Sequence, residues 1–378
     1  MNFIDNIEIK NFKSIRHQKI EGCKRINVFV GGPNIGKSNL LEAIGLFSIN
    51  KDATNFCDFV RVGKCTTLFF NGNVGKSAQV IINNYFRAKI EYENWGLVAS
   101  FQEDRFNNGF NNLDTETLGA DIIEISDLSD KLLKKGQFLV SEKDKKIENY
   151  EGETDLIIYD SLVKDKVDKR GVKKIPILKY EFKKDVSYDA RSAFRLNHPF
   201  GENIFEIIST KEELNTYISE ILRNYGLQFL YDSAILEYKI LKIVGNKIFT
   251  VPYSMTADTL QRLFFYKAAT LSNKNAVLLF EEPEAHMFPP YVSKFTSDIT
   301  NDENKNQFFI TTHSPFVLND LMANVEKDEL AIYIVSYEKE TGETQVHKMN
   351  DNDVQEAYQF GYDFFMDIDQ FIPQKQHG

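Results

Sequence analysis

The sequence predicts an α/β sandwich, and three stretches carry that prediction. Ile26-Asn27-Val28-Phe29-Val30 is a short β-branched run that reads as a buried strand, a glycine-rich turn follows it, and Leu40, Leu41, Ile44, Leu46 and Phe47 then recur at helical spacing. Further on, Ala276-Val277-Leu278-Leu279-Phe280 and Phe308-Phe309-Ile310 read as two more central strands with a helix-sized segment between them. Strands alternating with helices in this way build a parallel sheet covered by helices.

The remaining elements follow in order. Phe3, Ile4, Ile7, Ile9, Phe12 and Ile15 fall in an alternating polar and apolar pattern before the first buried run. Thr67-Leu68-Phe69-Phe70, Gln79-Val80-Ile81-Ile82 and Ala88-Lys89-Ile90 read as strands of an antiparallel sheet. Residues 101 to 200 are rich in Asn, Asp and Lys and are expected to be inserted or peripheral; within them, 164 to 184 carries nine Lys and Arg against three acids. Thr210-Lys211-Glu212-Glu213 has the spacing of a capping box ahead of a helix through Leu214, Tyr217, Ile218, Ile221 and Leu222, with Gly226 as its stop. Ile243 to Phe249 reads as a hairpin about Gly245-Asn246, and Leu260 to Leu271 as another helix.

Composition excludes several function classes. A chain of 378 residues, 42% of them hydrophobic, can bury a sizeable core. Its formal charge of -10, from 55 acids against 45 bases, argues against a general nucleic-acid-coating role, which depends on neutralising phosphates. Cys23, Cys57 and Cys65 have neither metal-ligand spacing nor an even count, which fits ordinary thiols in a reducing compartment. No apolar run approaches the roughly 20 residues that cross a bilayer, so a cytoplasmic protein without a membrane partner is expected.

Gly31-Gly32-Pro33-Asn34-Ile35-Gly36-Lys37-Ser38 satisfies G-x-x-x-x-G-K-[ST] between a strand and a helix, the context that motif requires. Its glycines let backbone N–H groups face phosphates, the helix N-terminus adds positive potential, Lys37 reaches β/γ oxygens, and the Ser38 hydroxyl ligates magnesium. Gly31, Pro33, Asn34, Gly36, Lys37, Ser38 and Asn39 are therefore the expected ATP-binding residues. The similar stretch Gly72-Asn73-Val74-Gly75-Lys76-Ser77 has only two residues between its glycines and reads as a hairpin turn. Glu281 and Glu282, at the end of an apolar strand and before Pro283, supply a metal carboxylate and a group facing the γ-phosphate, respectively. His313, ending another core strand, has the place of a γ-phosphate sensor.

With Ile9-Lys10-Asn11-Phe12-Lys13-Ser14-Ile15, Gly36-Lys37-Ser38-Asn39-Leu40-Leu41-Glu42-Ala43-Ile44, Phe280-Glu281-Glu282-Pro283-Glu284-Ala285-His286 and Thr311-Thr312-His313-Ser314-Pro315, the chain resembles the ATP-binding-cassette-type ATPases of the SMC/RecF/OLD group. The resemblance implies a P-loop head, residues 1–100 and 206–378, with an antiparallel β subdomain and a peripheral region over 101–205. It further implies a homodimer or higher homo-oligomer around ATP and magnesium, with Lys37, Glu282 and His313 catalytic and a signature loop closing on the partner's nucleotide. Tyr253 to Arg262 stands where that loop falls, with Ser254 or Thr256 as its hydroxyl, although Ala257 or Asp258 replaces the expected glycine. Glu281 stands where the family most often has Asp.

SMC-type proteins separate their halves by long coiled coils, for which 51 to 250 has no sustained heptads. OLD-type nucleases append a Toprim domain, for which the 65 residues after His313 are too few; Asp367-Ile368-Asp369 reads as a solvated acidic turn. The favoured reading is the ATPase subunit of a bacterial anti-phage, abortive-infection system acting with a separate nuclease or other effector. The alternatives are a RecF-like ATPase that clamps DNA, through the basic run at 164 to 184, and a nucleotide-gated scaffold with little turnover. The aromatic stretch Tyr358 to Phe365 reads as core packing before subunit contact.

Overall fold

The computed structural model describes residues 3–50, 52–93, 96–103, 136–151, 156–158, 173–188, 192–232, 237–360 and 365. The chain opens with β1 (Asn6–Phe12) and β2 (Ile15–Glu21), a hairpin, followed by β3 (Ile26–Val30) and α1 (Lys37–Gly45). Next come β4 (Ala78–Ile82), β5 (Phe86–Glu93), β6 (Gly96–Glu103), β7 (Gly136–Ser141) and β8 (Ile147–Glu151), then the short pair β9 (Leu156–Ile158) and β10 (Lys173–Ile175). After β11 (Ile177–Tyr180) the chain forms α2 (Ile204–Thr210), α3 (Glu212–Arg223), β12 (Leu227–Asp232), β13 (Glu237–Val244) and β14 (Lys247–Pro252). It ends with α4 (Asp258–Ser272), β15 (Val277–Glu281), α5 (Pro289–Thr300), β16 (Gln307–Thr312), α6 (Pro315–Asn324), β17 (Leu330–Glu338), β18 (Glu343–Lys348) and α7 (Asp351–Phe360).

Four sheets form among the described residues, β9-β10 and β12-β13-β14 being small antiparallel ones, and the two largest organise the fold. The central one has the order β11-β15-β16-β3-β17-β18, parallel except for β18. The other is antiparallel, in the order β2-β1-β4-β5-β6-β7-β8. Side chains along each buried central strand alternate between two cores, as a period of 2 demands. Phe29, Leu279 and Phe309 face the layer shared with α1 and the antiparallel sheet, whereas Val28, Val30, Phe280, Phe308 and Ile310 face the layer covered by α4, α5 and α6. This is the P-loop sandwich of ABC-type ATPase heads.

Four expectations differ from what forms. Thr67-Leu68-Phe69-Phe70 is not a strand: the chain there makes 3-10 turns, Cys65–Leu68 and Phe70–Gly72, of which the first buries Cys65 and Leu68 one turn apart, and the extended Phe69 between the two turns is buried too. Gly72 to Ser77 leads from those turns into β4 and closes no hairpin. Helix α3 forms, but without the capping box: the Thr210 hydroxyl donates to the Glu206 carbonyl (2.8 Å) because Thr210 ends α2. Ile177–Tyr180, inside the stretch expected to be peripheral, is a fully buried strand paired with β15. Its Lys179 lies 1% exposed and donates to the Phe59 carbonyl (3.1 Å), so the basic run is not one solvated face. Residues 164–172, Asp367-Ile368-Asp369 and most of the aromatic stretch after Phe360 lie outside the described residues.

Gln307, fully buried at the start of β16, fastens the two ends of the N-terminal hairpin to the central sheet. Its Oε1 accepts from the N–H groups of Phe3 (3.1 Å) and Ile4 (2.8 Å), and its Nε2 donates to the carbonyls of Ile4 (2.8 Å) and Lys24 (2.8 Å). Replacing it by Leu strands three buried backbone groups and a part-buried one, and Gln307→Leu is expected to lower stability by about 3 kcal/mol. Urea denaturation checks this; an unchanged midpoint would show that the clamp contributes nothing net.

Candidate functional site at the strand ends

Parallel pairing fixes the site. Thr312 pairs with Val30, and Glu281 with Thr311, so the C-terminal ends of β3, β15 and β16 lie side by side. Ligands of open α/β sheets bind at this edge. From β3 the chain enters the phosphate loop, in which Asn34 (φ 59°) and Gly36 (φ 102°) adopt left-handed backbone, and Gly36 caps α1 directly. A Cβ at Gly31 would lie 2.5 Å from the Val335 carbonyl oxygen, so only glycine fits against β17. Pro33 and Asn34 are exposed at the loop's crest.

Lys37 folds back over this loop, its Nζ donating to the carbonyls of Gly31 (3.0 Å) and Gly32 (2.7 Å). Burial pushes its ammonium down to about 8, against the opposing pull of Glu282, Glu284 and Glu281. Glu281 ends β15 and accepts from Arg61 Nη2 (2.7 Å) on Oε1. Burial raises its pKa, but the Arg61 charge, the Ser38 hydroxyl beside it and the Lys179 charge outweigh burial and hold it below the usual carboxylate range. Its Oε2 is buried without a well-formed hydrogen bond. Among the described residues no three His, Cys, Asp or Glu are grouped to hold a metal alone. A hard divalent cation would therefore take Glu281 Oε2 and Ser38 Oγ and complete its shell with phosphate and water oxygens.

Glu282 adopts φ 42°, with its N–H bonded to the Thr311 carbonyl (3.0 Å). That turn separates it from Glu281 and brings Oε1 within 3.2 Å of His313 Nε2. Burial lowers the His313 pKa, the Lys37 charge lowers it further, and Glu282 opposes both. The imidazole is thus neutral at pH 7 and able to share a proton with the carboxylate.

The structure thus brings together Gly31, Gly36, Lys37, Ser38, Glu281, Glu282 and His313. Asn39 turns the other way, its Nδ2 donating to Ser14 Oγ (2.6 Å). Ser254 and Thr256 stand in the loop before α4, where Gln261 Nε2 donates to both of their carbonyls (3.1 and 2.8 Å); among the described residues no hydrogen bond joins them to the phosphate loop. Two residues of the site had no role in the sequence reading. Glu284 accepts on Oε1 from the Thr312 hydroxyl (2.6 Å) and the His313 N–H (3.1 Å), fastening the acid loop to the histidine; its place in Glu-Glu-Pro-Glu was the available signal. Arg61 bridges Glu281 and the fully buried Glu42 (Nε to Oε1, 2.6 Å), and no local pattern marks it.

A parallel sheet with a phosphate loop, two acids after one neighbouring strand and a histidine after another defines an ABC-type ATPase head. More narrowly, residues 26–319 match the family described as "AAA domain, putative AbiEii toxin, Type IV TA system", and the chain belongs to that family. Short stretches resemble curated proteins: 49% identity over 41 residues to an ATP/GTP phosphatase of Helicobacter pylori, and 43% over 49 residues to the DNA replication and repair protein RecF of a Thermoanaerobacter species. These cover 11% and 13% of this chain, and 11% and 14% of the relatives' own lengths. Among solved structures, the SMC head domain from Thermotoga maritima aligns with 92% of this chain and 99% of its own at 15% identity and a TM-score of 0.41. An SmcHead bound to the C-winged helix domain of ScpA aligns with 94% and 100% at 16% identity and 0.48. Among the described residues no helix is long and apolar enough to cross a membrane.

The charges facing His313 make its titration a test of the geometry. Removing the Glu282 charge in Glu282→Gln is expected to lower the His313 pKa further, and removing the cation in Lys37→Met to raise it. NMR of ring-labelled histidine across pH 4 to 8 measures both, and a pKa indifferent to both substitutions would mean that the three groups are not together in solution.

Proposed function

We propose that the chain binds and hydrolyses ATP with magnesium, closes as a homodimer around the nucleotide, and serves as the ATPase subunit of an anti-phage system whose toxic step belongs to a separate nuclease or effector. The observation that carries the catalytic part is the 3.2 Å approach of His313 to Glu282, beside Lys37 and Glu281. The defence part is supported by the family's description alone.

In this reading Lys37 exchanges the carbonyls of Gly31 and Gly32 for phosphate oxygens, and the triphosphate's charge favours its ammonium form. Backbone N–H groups of Gly31 to Lys37, with Pro33 contributing only its ring, would cradle the phosphates. Ser38 and Glu281 would hold magnesium, which supplies charge neutralisation between phosphates. Glu282 would orient and deprotonate the attacking water, and His313 would hold the carboxylate and report on the γ-phosphate. Ser254 and Thr256 would complete the partner's site, and residues 1–100 and 206–378, joined by β11, would form the head. A RecF-like clamp on DNA is the second reading, favoured by the RecF match.

Steady-state hydrolysis against protein concentration tests this directly. Activity should rise more than linearly, vanish in Lys37→Ala, and fall at least ~100-fold in Glu282→Gln with ATP binding retained. Linear activity would remove the shared site, and full activity in Glu282→Gln would remove the base. Cells carrying the chain with the adjoining gene's product should plate phage poorly, and Lys37→Ala should restore plating; undiminished plating with the wild type would leave DNA repair as the better reading.

A further inference from the structure

A chain of hydroxyls runs behind the phosphate loop. Asn39 Nδ2 donates to Ser14 Oγ (2.6 Å), Ser14 Oγ and Thr344 Oγ1 are 2.7 Å apart, and Thr344 Oγ1 donates to the Ile35 carbonyl (2.8 Å). Its direction is fixed at both ends: the amide nitrogen can only donate and the carbonyl can only accept, so Ser14 donates to Thr344. Thr344 comes from β18, the outer strand of the central sheet, and is fully buried. Its own N–H donates to the Ser14 carbonyl (2.8 Å), so the residue is held from two sides.

The position of that threonine matters because of what it grips. A peptide unit is planar and trans, so its C=O and N–H point in opposite directions. With the Ile35 carbonyl bonded towards β18, the Gly36 N–H is turned away from β18. Gly36 cannot relax this arrangement with a side chain: a Cβ there would lie 2.1 Å from Thr344 Oγ1 and 2.7 Å from Ser14 Oγ. The two hydroxyls occupy the space behind a glycine whose φ is 102°.

We infer that Thr344, linked through Ser14, is a positioning residue for nucleotide phosphates: from a strand on the far side of the loop it sets the direction of the Ile35–Gly36 peptide. The inference rests on the ATP-binding reading. It predicts a loss of phosphate affinity with the hydrolytic groups intact, since Thr344 touches none of Glu281, Glu282 or His313.

Thr344→Val keeps the shape and removes the hydroxyl; Thr344→Ser keeps the hydroxyl. Titration calorimetry with MgATP should show Kd raised about tenfold in Thr344→Val, the size of one lost hydrogen bond, and within about twofold of the wild type in Thr344→Ser. Turnover at saturating ATP should stay within about twofold in both. An unchanged Kd in folded Thr344→Val overturns the inference, as does a fall in turnover at unchanged Kd or a failure of Ser to rescue. Where Thr344→Val does not fold, Ser14→Ala removes the donor to Thr344 outside the β18 core; its Kd should rise about threefold, and an unchanged value overturns the inference equally. A wild-type chain that binds no MgATP overturns the ATP-binding reading itself, and is told apart from these outcomes because the first titration contains no variant.

Discussion

The placement of β3 between β16 and β17 is the constraint on which everything functional depends. Val30 is in register with Thr312 on one side and Ile334 on the other, so the phosphate loop leaves the sheet level with the end of the histidine strand. Glu281 pairs with Thr311 one strand further out. A slip of one residue in any of these ladders would exchange the two cores' side chains, because strand faces alternate with a period of 2. Phe29 and Phe309 on one face, and Val28, Val30, Phe308 and Ile310 on the other, make such a slip costly. The hydrophobic pattern therefore fixes the distances among Lys37, Glu282 and His313 without any of those three residues contributing to it.

Burial of charge near the site follows a second rule. Glu42 is fully buried on α1, and its two oxygens are shared between Lys13, from the turn joining β1 and β2, and Arg61. A buried carboxylate with one cation removed would be strongly destabilising, so the pair of cations is a requirement of the position. Arg61 carries the same network to Glu281, and Lys179 adds its charge from β11. Glu281 thus stays ionised in a half-dry place because Arg61, from the segment between α1 and β4, and Lys179, on the outer strand β11, direct their charges at it, with the Ser38 hydroxyl beside it.

Much of this was legible in sequence because it is local. Strand, glycine loop and helix occupy consecutive residues from Ile26 to Gly45, and Glu281, Glu282 and Glu284 fall in one short stretch. What was not legible depends on distant pairing. Arg61 meets Glu281 across 220 residues, and Thr344 meets Ile35 across 309, with no periodicity or motif to mark either. Strand β11 was hidden by its own lysine: Lys179 breaks the apolar run of Ile177 and Leu178 within a basic stretch, and only the Phe59 carbonyl and Glu181 explain how it is buried. The run at Thr67 to Phe70 was misleading for another reason, since four apolar and small residues fit a strand or a 3-10 turn equally well. Thr210 had the right spacing for a cap but belonged to the helix before.

The backbone of Glu282 joins these threads. A non-glycine residue at φ 42° costs on the order of 1 kcal/mol, and Pro283 after it disfavours the ordinary helical alternative. The conformation persists because the Thr311 carbonyl and hydroxyl both face the Glu282 N–H, at 3.0 and 3.3 Å. Glu284, two residues on, is tied by its carboxylate to Thr312 and His313. The acid loop is therefore stitched to the end of β16 at both ends, and movement of His313 must pull on Glu282 through backbone as well as through the imidazole. Under the proposed function, in which His313 reports on phosphate and Glu282 acts on water, such a linkage would couple the two, and the strained residue marks where it is made.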